Sequence, residues 1–137
     1  NFIFGLPEDT RESMNQTLDM ALELKCDMVN FYCCMAYPGS ALYQMAAEKR
    51  WELPDSYLGY SQHAYEARPL PTKYISAGEV LAFRDYAFTR YFSDPGYLEF
   101  VRQKFGQDAH ENIRIMNQHK LRRALMKDKF SPQAVRA

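Results

Sequence analysis

The chain has 137 residues, of which 47% are hydrophobic and 25% charged, and its 17 acidic side chains balance its 17 basic ones. That length excludes two domains of ordinary size, and that composition excludes a disordered chain. No apolar run approaches the ~20 residues a membrane-spanning helix needs.

The balanced charge is unevenly distributed. Residues 1–68 carry 5 Lys+Arg and 10 Asp+Glu, whereas residues 69–137 carry 12 and 7. Attraction between the two halves accounts for this split more economically than a basic surface for nucleic acid. The 3 cysteines are an odd number with no secretory signal before them, which argues for a reducing, cytoplasmic setting and against a disulfide framework. Cys26, Cys33 and Cys34 have no zinc-binding spacing and are expected to be small buried hydrophobes.

The opening stretch, NFIFGLPEDT, begins on Asn1 and reads as an internal strand over residues 2–5, as in a piece of a longer protein. Asp9 followed by Glu12 reads as a capping box. Met14, Leu18, Ala21 and Leu22 then recur at helical spacing. Residues 29–34 are almost continuously apolar, as in a strand covered on both faces. Strand, helix and strand with short connections form a βαβ unit, whose strands pair in parallel. Pro38 and Gly39 make a turn, and Ser40 caps a helix over 41–50.

From residue 51 periodicity is lost. Three prolines and Tyr57, Tyr60 and Tyr65 mark a long aromatic segment, expected to cover something rather than extend free. The remainder reads as helical. Ser76 with Glu79 forms a second capping box, opening a helix to about Phe92. Asp94 and Pro95 start the next helix, which Gly106 ends. Asp108 with Glu111 reads as a third box, for a helix running to about Lys127 with Ile113, Met116, Leu121, Ala124 and Leu125 inward. Lys120, Arg122, Arg123, Lys127 and Lys129 form a basic run near its end. The expected fold is thus an α/β fragment, mostly α. Strand–helix–strand–helix occupies 1–50, an aromatic covering loop 51–75, and a helical region 76–137. Two strands alone leave free edges, so the chain is expected to form homodimers.

The first of these units resembles the carboxyl-terminal part of the radical S-adenosylmethionine barrel, and most closely its cobalamin-linked group. The pattern GxIxGxxE of that family's fifth strand is matched by Ile3, Gly5 and Glu8, with Asn1 standing where the pattern has its first Gly. Its sixth strand, aromatic-rich and running into YPG and a helix, is matched by Tyr37, Pro38 and Gly39. The stretch from Pro69 to Gly106 resembles the helical extension that follows the barrel. The resemblance implies two parallel strands of a partial (β/α) barrel whose βα loops contact S-adenosylmethionine. Ile3, Gly5, Glu8, Tyr37 and Pro38 are the cofactor-binding candidates; no residue is assigned a catalytic or metal-binding role.

The family's 4Fe-4S cluster is held by CxxxCxxC, a spacing that Cys26, Cys33 and Cys34 do not make. The resemblance therefore implies a segment of a methyltransferase or oxidoreductase that is inactive by itself. The implied partners are the missing barrel half, a cobalamin-binding domain and a small-molecule substrate. The other class left open is a helical module whose basic C-terminal helix meets protein or nucleic acid. Within the long loop, His63 reads as a surface histidine.

Overall fold

A computed structural model describes residues 1–126. Two short strands, β1 (Phe2–Phe4) and β2 (Phe31–Cys33), flank the helix α1 (Arg11–Leu24). They pair in parallel with Phe2 opposite Phe31, Ile3 opposite Tyr32 and Phe4 opposite Cys33. The helices α2 (Ala41–Glu48), α3 (Ala77–Phe92), α4 (Pro95–Phe105) and α5 (Gln107–Gln118) follow, with a 3-10 turn at Tyr57–Tyr60 and another at Ala124–Met126. The chain is therefore α/β and mostly α, as expected, with two parallel strands in one sheet. No described helix is long and apolar enough to cross a membrane.

The helix α1 starts one residue later than expected. Thr10 is its cap: the Thr10 hydroxyl accepts from Ser13 N–H at 3.1 Å, and the Ser13 hydroxyl accepts from Thr10 N–H at 3.0 Å. Asp9 is engaged elsewhere. Its carboxylate accepts from the N–H groups of Gly5 and Leu6 at 3.0 and 2.9 Å, and from the Ser13 hydroxyl at 2.7 Å. With Asp9 turned toward the preceding loop, the cap falls to Thr10. Met14, Leu18 and Ala21 are buried, as their spacing requires.

The central element is α3. Its Ser76–Glu79 capping box forms as read. Its inward face meets both strands: Phe83 places its edge against Phe4 at 5.0 Å, and Tyr91 lies edge-on to Phe31 at 5.7 Å. Tyr97 of α4 packs on Tyr91 at 4.6 Å. Each buried phenol also finds a partner. Tyr91 donates to the carbonyl of Cys26 at 2.9 Å, and Tyr97 to that of Asp27 at 3.0 Å. The aromatic abundance of the sequence thus builds one core joining the βαβ unit to the helical region. Ion pairs reinforce the join: Lys104 with Asp27 at 2.6 Å, Arg11 with Glu79 at 3.1 Å and Lys73 with Glu8 at 3.7 Å.

The last described segment departs from expectation. The helix α5 begins at Gln107, directly after Gly106, and has no side-chain cap. The turn between α4 and α5 is this single glycine, at φ +90°, so Asp108 falls inside the helix rather than ahead of it. Glu111 pairs with Arg114 instead of closing a box. The helix ends at Gln118 rather than about Lys127, and the chain turns to extended geometry at His119. Leu121 and Ala124 consequently face solvent, whereas Arg123 is buried. The physical reason is Arg123 itself. Its guanidinium binds both carboxylate oxygens of Asp85 at 2.8 and 2.9 Å and donates to the carbonyls of Gln62 and Ala64 at 2.9 and 3.0 Å. No continuous basic helix face forms among the described residues; Lys127 and Lys129 lie outside them.

The sheet edges also differ from expectation, which had both left free. In the ladder, Phe2 N–H donates to Asn30 O at 2.9 Å and Cys34 N–H to Phe4 O at 2.8 Å. By the alternation of a parallel pair, Phe31 and Cys33 turn their polar groups to the outer edge of β2. That edge is filled. The Gln62 carboxamide accepts from Cys33 N–H and donates to Cys33 O, both at 2.9 Å. Arg84 Nε donates to Phe31 O at 2.8 Å; just past the strand, Leu70 N–H donates to Cys34 O at 3.0 Å. On β1 the intervening residue is Ile3. Among the described residues, nothing bonds its outward N–H and C=O.

Candidate functional site

The loops that follow the two strands emerge side by side at their carboxyl ends, where parallel α/β structures place ligands. The first, Gly5 to Glu8, is organised by the Asp9 carboxylate on the N–H groups of Gly5 and Leu6. Gly5 has φ +80°, and a Cβ there would meet Val80 Cγ1 at 2.4 Å. Its glycine therefore serves both the turn and the close approach of α3. The second loop turns through Pro38 and Gly39, with Ser40 N–H donating to Tyr37 O at 3.0 Å. The Ser40 hydroxyl then caps α2 by accepting from Tyr43 N–H at 3.1 Å.

Between these loops lies a cavity of about 470 Å³, on the sheet face that bears Ile3 and Tyr32. Ile3, Leu6, Met35, Tyr37 and Leu42 supply most of its apolar wall, and Gln62 its amide. Phe4 and Phe31 point the other way, into the core. Ile3 and Leu6 are each 49% exposed, an unusual exposure for aliphatic side chains beside a buried sheet. Tyr37 stacks on Tyr60 of the aromatic segment at 5.9 Å, so that segment borders the site.

Of the five candidates, Ile3 and Tyr37 converge on the cavity. Gly5 shapes the loop beside it without facing it. Pro38 lines a separate shallow depression with Pro54, Tyr57 and Tyr60. Glu8 is exposed, 3.7 Å from Lys73, and is not among the cavity's lining residues. Leu6, Met35 and Leu42 were not singled out from the sequence. The signal for Leu6 was available, as an apolar residue between the turn-formers Gly5 and Pro7.

The thiols separate by environment. Burial pushes the Cys33 thiol up to about 12, against the lowering influence of the Arg84 charge, and its Sγ lies 4.0 Å from Val80 O. Cys34 is also pushed up, by burial first and then by the Asp9 carboxylate. Cys26 is exposed, contrary to the expectation that all three are buried. A leucine-like role does not hold for it, because the connection from α1 to β2 carries it outward. Among the described residues, no three His, Cys, Asp or Glu side chains converge on a point where they could hold a metal ion.

A second cavity, of about 330 Å³, lies on the helical side between α3 and the end of α5. Its polar end is the cluster His63, Arg84 and Asp85, tied to Arg123; Phe88, Met116 and Leu121 form its apolar wall. Arg84 is 3% exposed. It recurs at helical spacing with Val80, Ala87 and Tyr91, so a charge on the apolar stripe was the signal that sequence reading passed over. His63, read as a surface histidine, is exposed but has Nε2 3.2 Å from Arg84 Nη2.

No protein-family model, no curated protein and no solved structure matches the chain.

Proposed function

We propose that this chain is the carboxyl-terminal segment of a radical S-adenosylmethionine iron–sulfur enzyme, a methyltransferase or oxidoreductase of the cobalamin-linked group. In this reading it supplies the cosubstrate-side loops and a helical cap. One observation carries it: the apolar cavity between Ile3 and Tyr37 opens at the carboxyl ends of two parallel strands, beside the sheet edge that no described residue fills. A parallel sheet is ordinarily covered on both faces and extended through its free edge. Here the helices cover one face, and Gln62 and Arg84 finish one edge. The remaining face and edge are what an added barrel half would occupy.

The cavity residues fit the adenosyl part of S-adenosylmethionine. Ile3 and Leu6 offer a flat apolar surface for a purine, and Tyr37 a ring whose orientation Tyr60 fixes. Gly5 lets α3 pack close behind this loop, and Asp9 holds the loop against α1. When bound, S-adenosylmethionine would supply radical chemistry only on receiving an electron from the iron–sulfur cluster of the whole enzyme. The thiols do not make the spacing of a cluster: Cys26, Cys33 and Cys34 form no CxxxCxxC. The cluster ligands, the cobalamin and most of the substrate pocket therefore belong to residues other than these. The two buried, unpaired thiols accord with a cytoplasmic setting.

The test is the reading frame upstream of the Asn1 codon. An open frame encoding CxxxCxxC within alternating strand and helix patterns supports the reading. A start codon directly before Asn1, or an upstream frame without that motif, overturns it.

A further inference from the structure

We infer that the cavity between α3 and the end of α5 is a binding site for a small amphiphilic carboxylate. Its anionic head would meet Arg84, His63 and Lys120, and its apolar stem Phe88, Met116 and Leu121. This inference is independent of the reading proposed for the strand-end cavity.

The cluster carries excess positive charge. Arg84, Arg123 and Lys120 stand around a single carboxylate, Asp85, and that carboxylate is spent. Both its oxygens bind Arg123, and Oδ1 also accepts from Arg84 Nη1 at 3.0 Å. Arg84 engages three of its five N–H bonds, with Phe31 O, Asp85 and His63 Nε2. The other two have no hydrogen-bond acceptor among the described residues, the centroid of the Phe88 ring lying 5.3 Å from the guanidinium carbon, although the side chain is only 4% exposed. Buried donors of a charged group are strongly disfavoured without an acceptor.

Lys120 adds a second uncompensated cation. Its Nζ donates to Thr89 Oγ1 at 3.0 Å and Asn117 O at 2.9 Å, both neutral oxygens. Among the described residues no carboxylate pairs with it. His63 completes the head. A guanidinium can only donate, so Nε2 accepts and the imidazole proton sits on Nδ1, leaving a further donor. Burial and the Arg84 charge both hold this imidazole neutral. Phe88, Met116 and Leu121 give the lining its carbon and sulfur surface, with Thr89 and His119 beside Lys120. A single anionic group on an apolar stem matches cations at one end and apolar side chains at the other.

The probes are hexanoate, hexyl phosphate and hexanol, titrated calorimetrically into the 137-residue protein. Saturable hexanoate binding is expected, with hexanol weaker by at least about tenfold, the worth of a hydrogen bond to a charged group. Lys120→Ala, at an exposed site, is expected to weaken hexanoate about tenfold while leaving the melting temperature unchanged. Leu121→Asp is expected to abolish binding by setting a carboxylate against the stem. Equal affinity for hexanol and hexanoate, absence of saturable binding, or an unaffected Lys120→Ala variant would overturn the inference. Hexyl phosphate binding more tightly than hexanoate would overturn the carboxylate assignment.

Discussion

The two edges of the sheet are finished in opposite ways. On β2, a carboxamide and a guanidinium occupy the positions a third strand would take. On β1, Ile3 presents its polar groups outward with no described partner, and its side chain lies 49% exposed on a cavity wall. An edge capped by side chains ends a sheet, whereas an edge left bare beside an open apolar face invites continuation. The contrast lies in tertiary bonding, because both strands are three residues of similar apolar character.

The largest effect is expected from breaking the closed edge from behind. Asp85→Asn leaves the guanidiniums of Arg84 and Arg123 without their shared counter-charge. Loss of one partner of a buried ion pair costs about 3–5 kcal/mol, and urea denaturation should show it as a lowered midpoint. Gly5→Ala comes next. Its φ of +80° strains an alanine, at about 1–3 kcal/mol, and its Cβ would strike Val80 Cγ1 at 2.4 Å. Adding Val80→Ala relieves the contact but not the dihedral, so the double variant should recover part of the loss.

Gln62→Ala tests the capped edge most locally. Freeing Cys33 N–H and C=O is expected to cost about 1–3 kcal/mol and to accelerate exchange of the Cys33 amide. The Cys33 thiol gives a pH signature. Its folded pKa, about 12, lies above the ordinary 9.0, so above pH 9 the unfolded chain loses a proton that the folded chain keeps. Stability should therefore decline as pH rises from 9 toward 12, and less steeply in Cys33→Ala. The smallest effect on stability is expected at the open edge. Ile3→Lys should shift it by no more than about 0.5 kcal/mol. It should nonetheless abolish the concentration-dependent association, visible by light scattering, that we expect of the unaltered chain.

What sequence reading recovered was local. Ser40, the Ser76–Glu79 pair and Asp94 with Pro95 cap the helices they were assigned to, because a cap is decided within four residues. Asp9 and Thr10 are equally good cap residues, and only the bonds from Gly5 and Leu6 to Asp9 decide between them. Arg123 was unreadable for a stronger reason. In sequence it belongs to a basic run, and its buried state depends on Asp85, 38 residues earlier. Likewise, nothing near Gln62 announces that its amide will stand in for a strand beside Cys33, 29 residues away. At the strand-end cavity, Ile3 and Tyr37, two of the five residues singled out, lie on its wall, while the charge of Arg84 on an apolar helical stripe was passed over.

The most direct measurement is amide exchange at Ile3, made on the 137-residue chain and on the product of the whole reading frame. If the sheet continues through β1, Ile3 should exchange nearly freely in the chain alone and be protected in the longer product, with Cys33 protected in both. An Ile3 amide that exchanges equally fast in both would contradict continuation of the sheet through this edge.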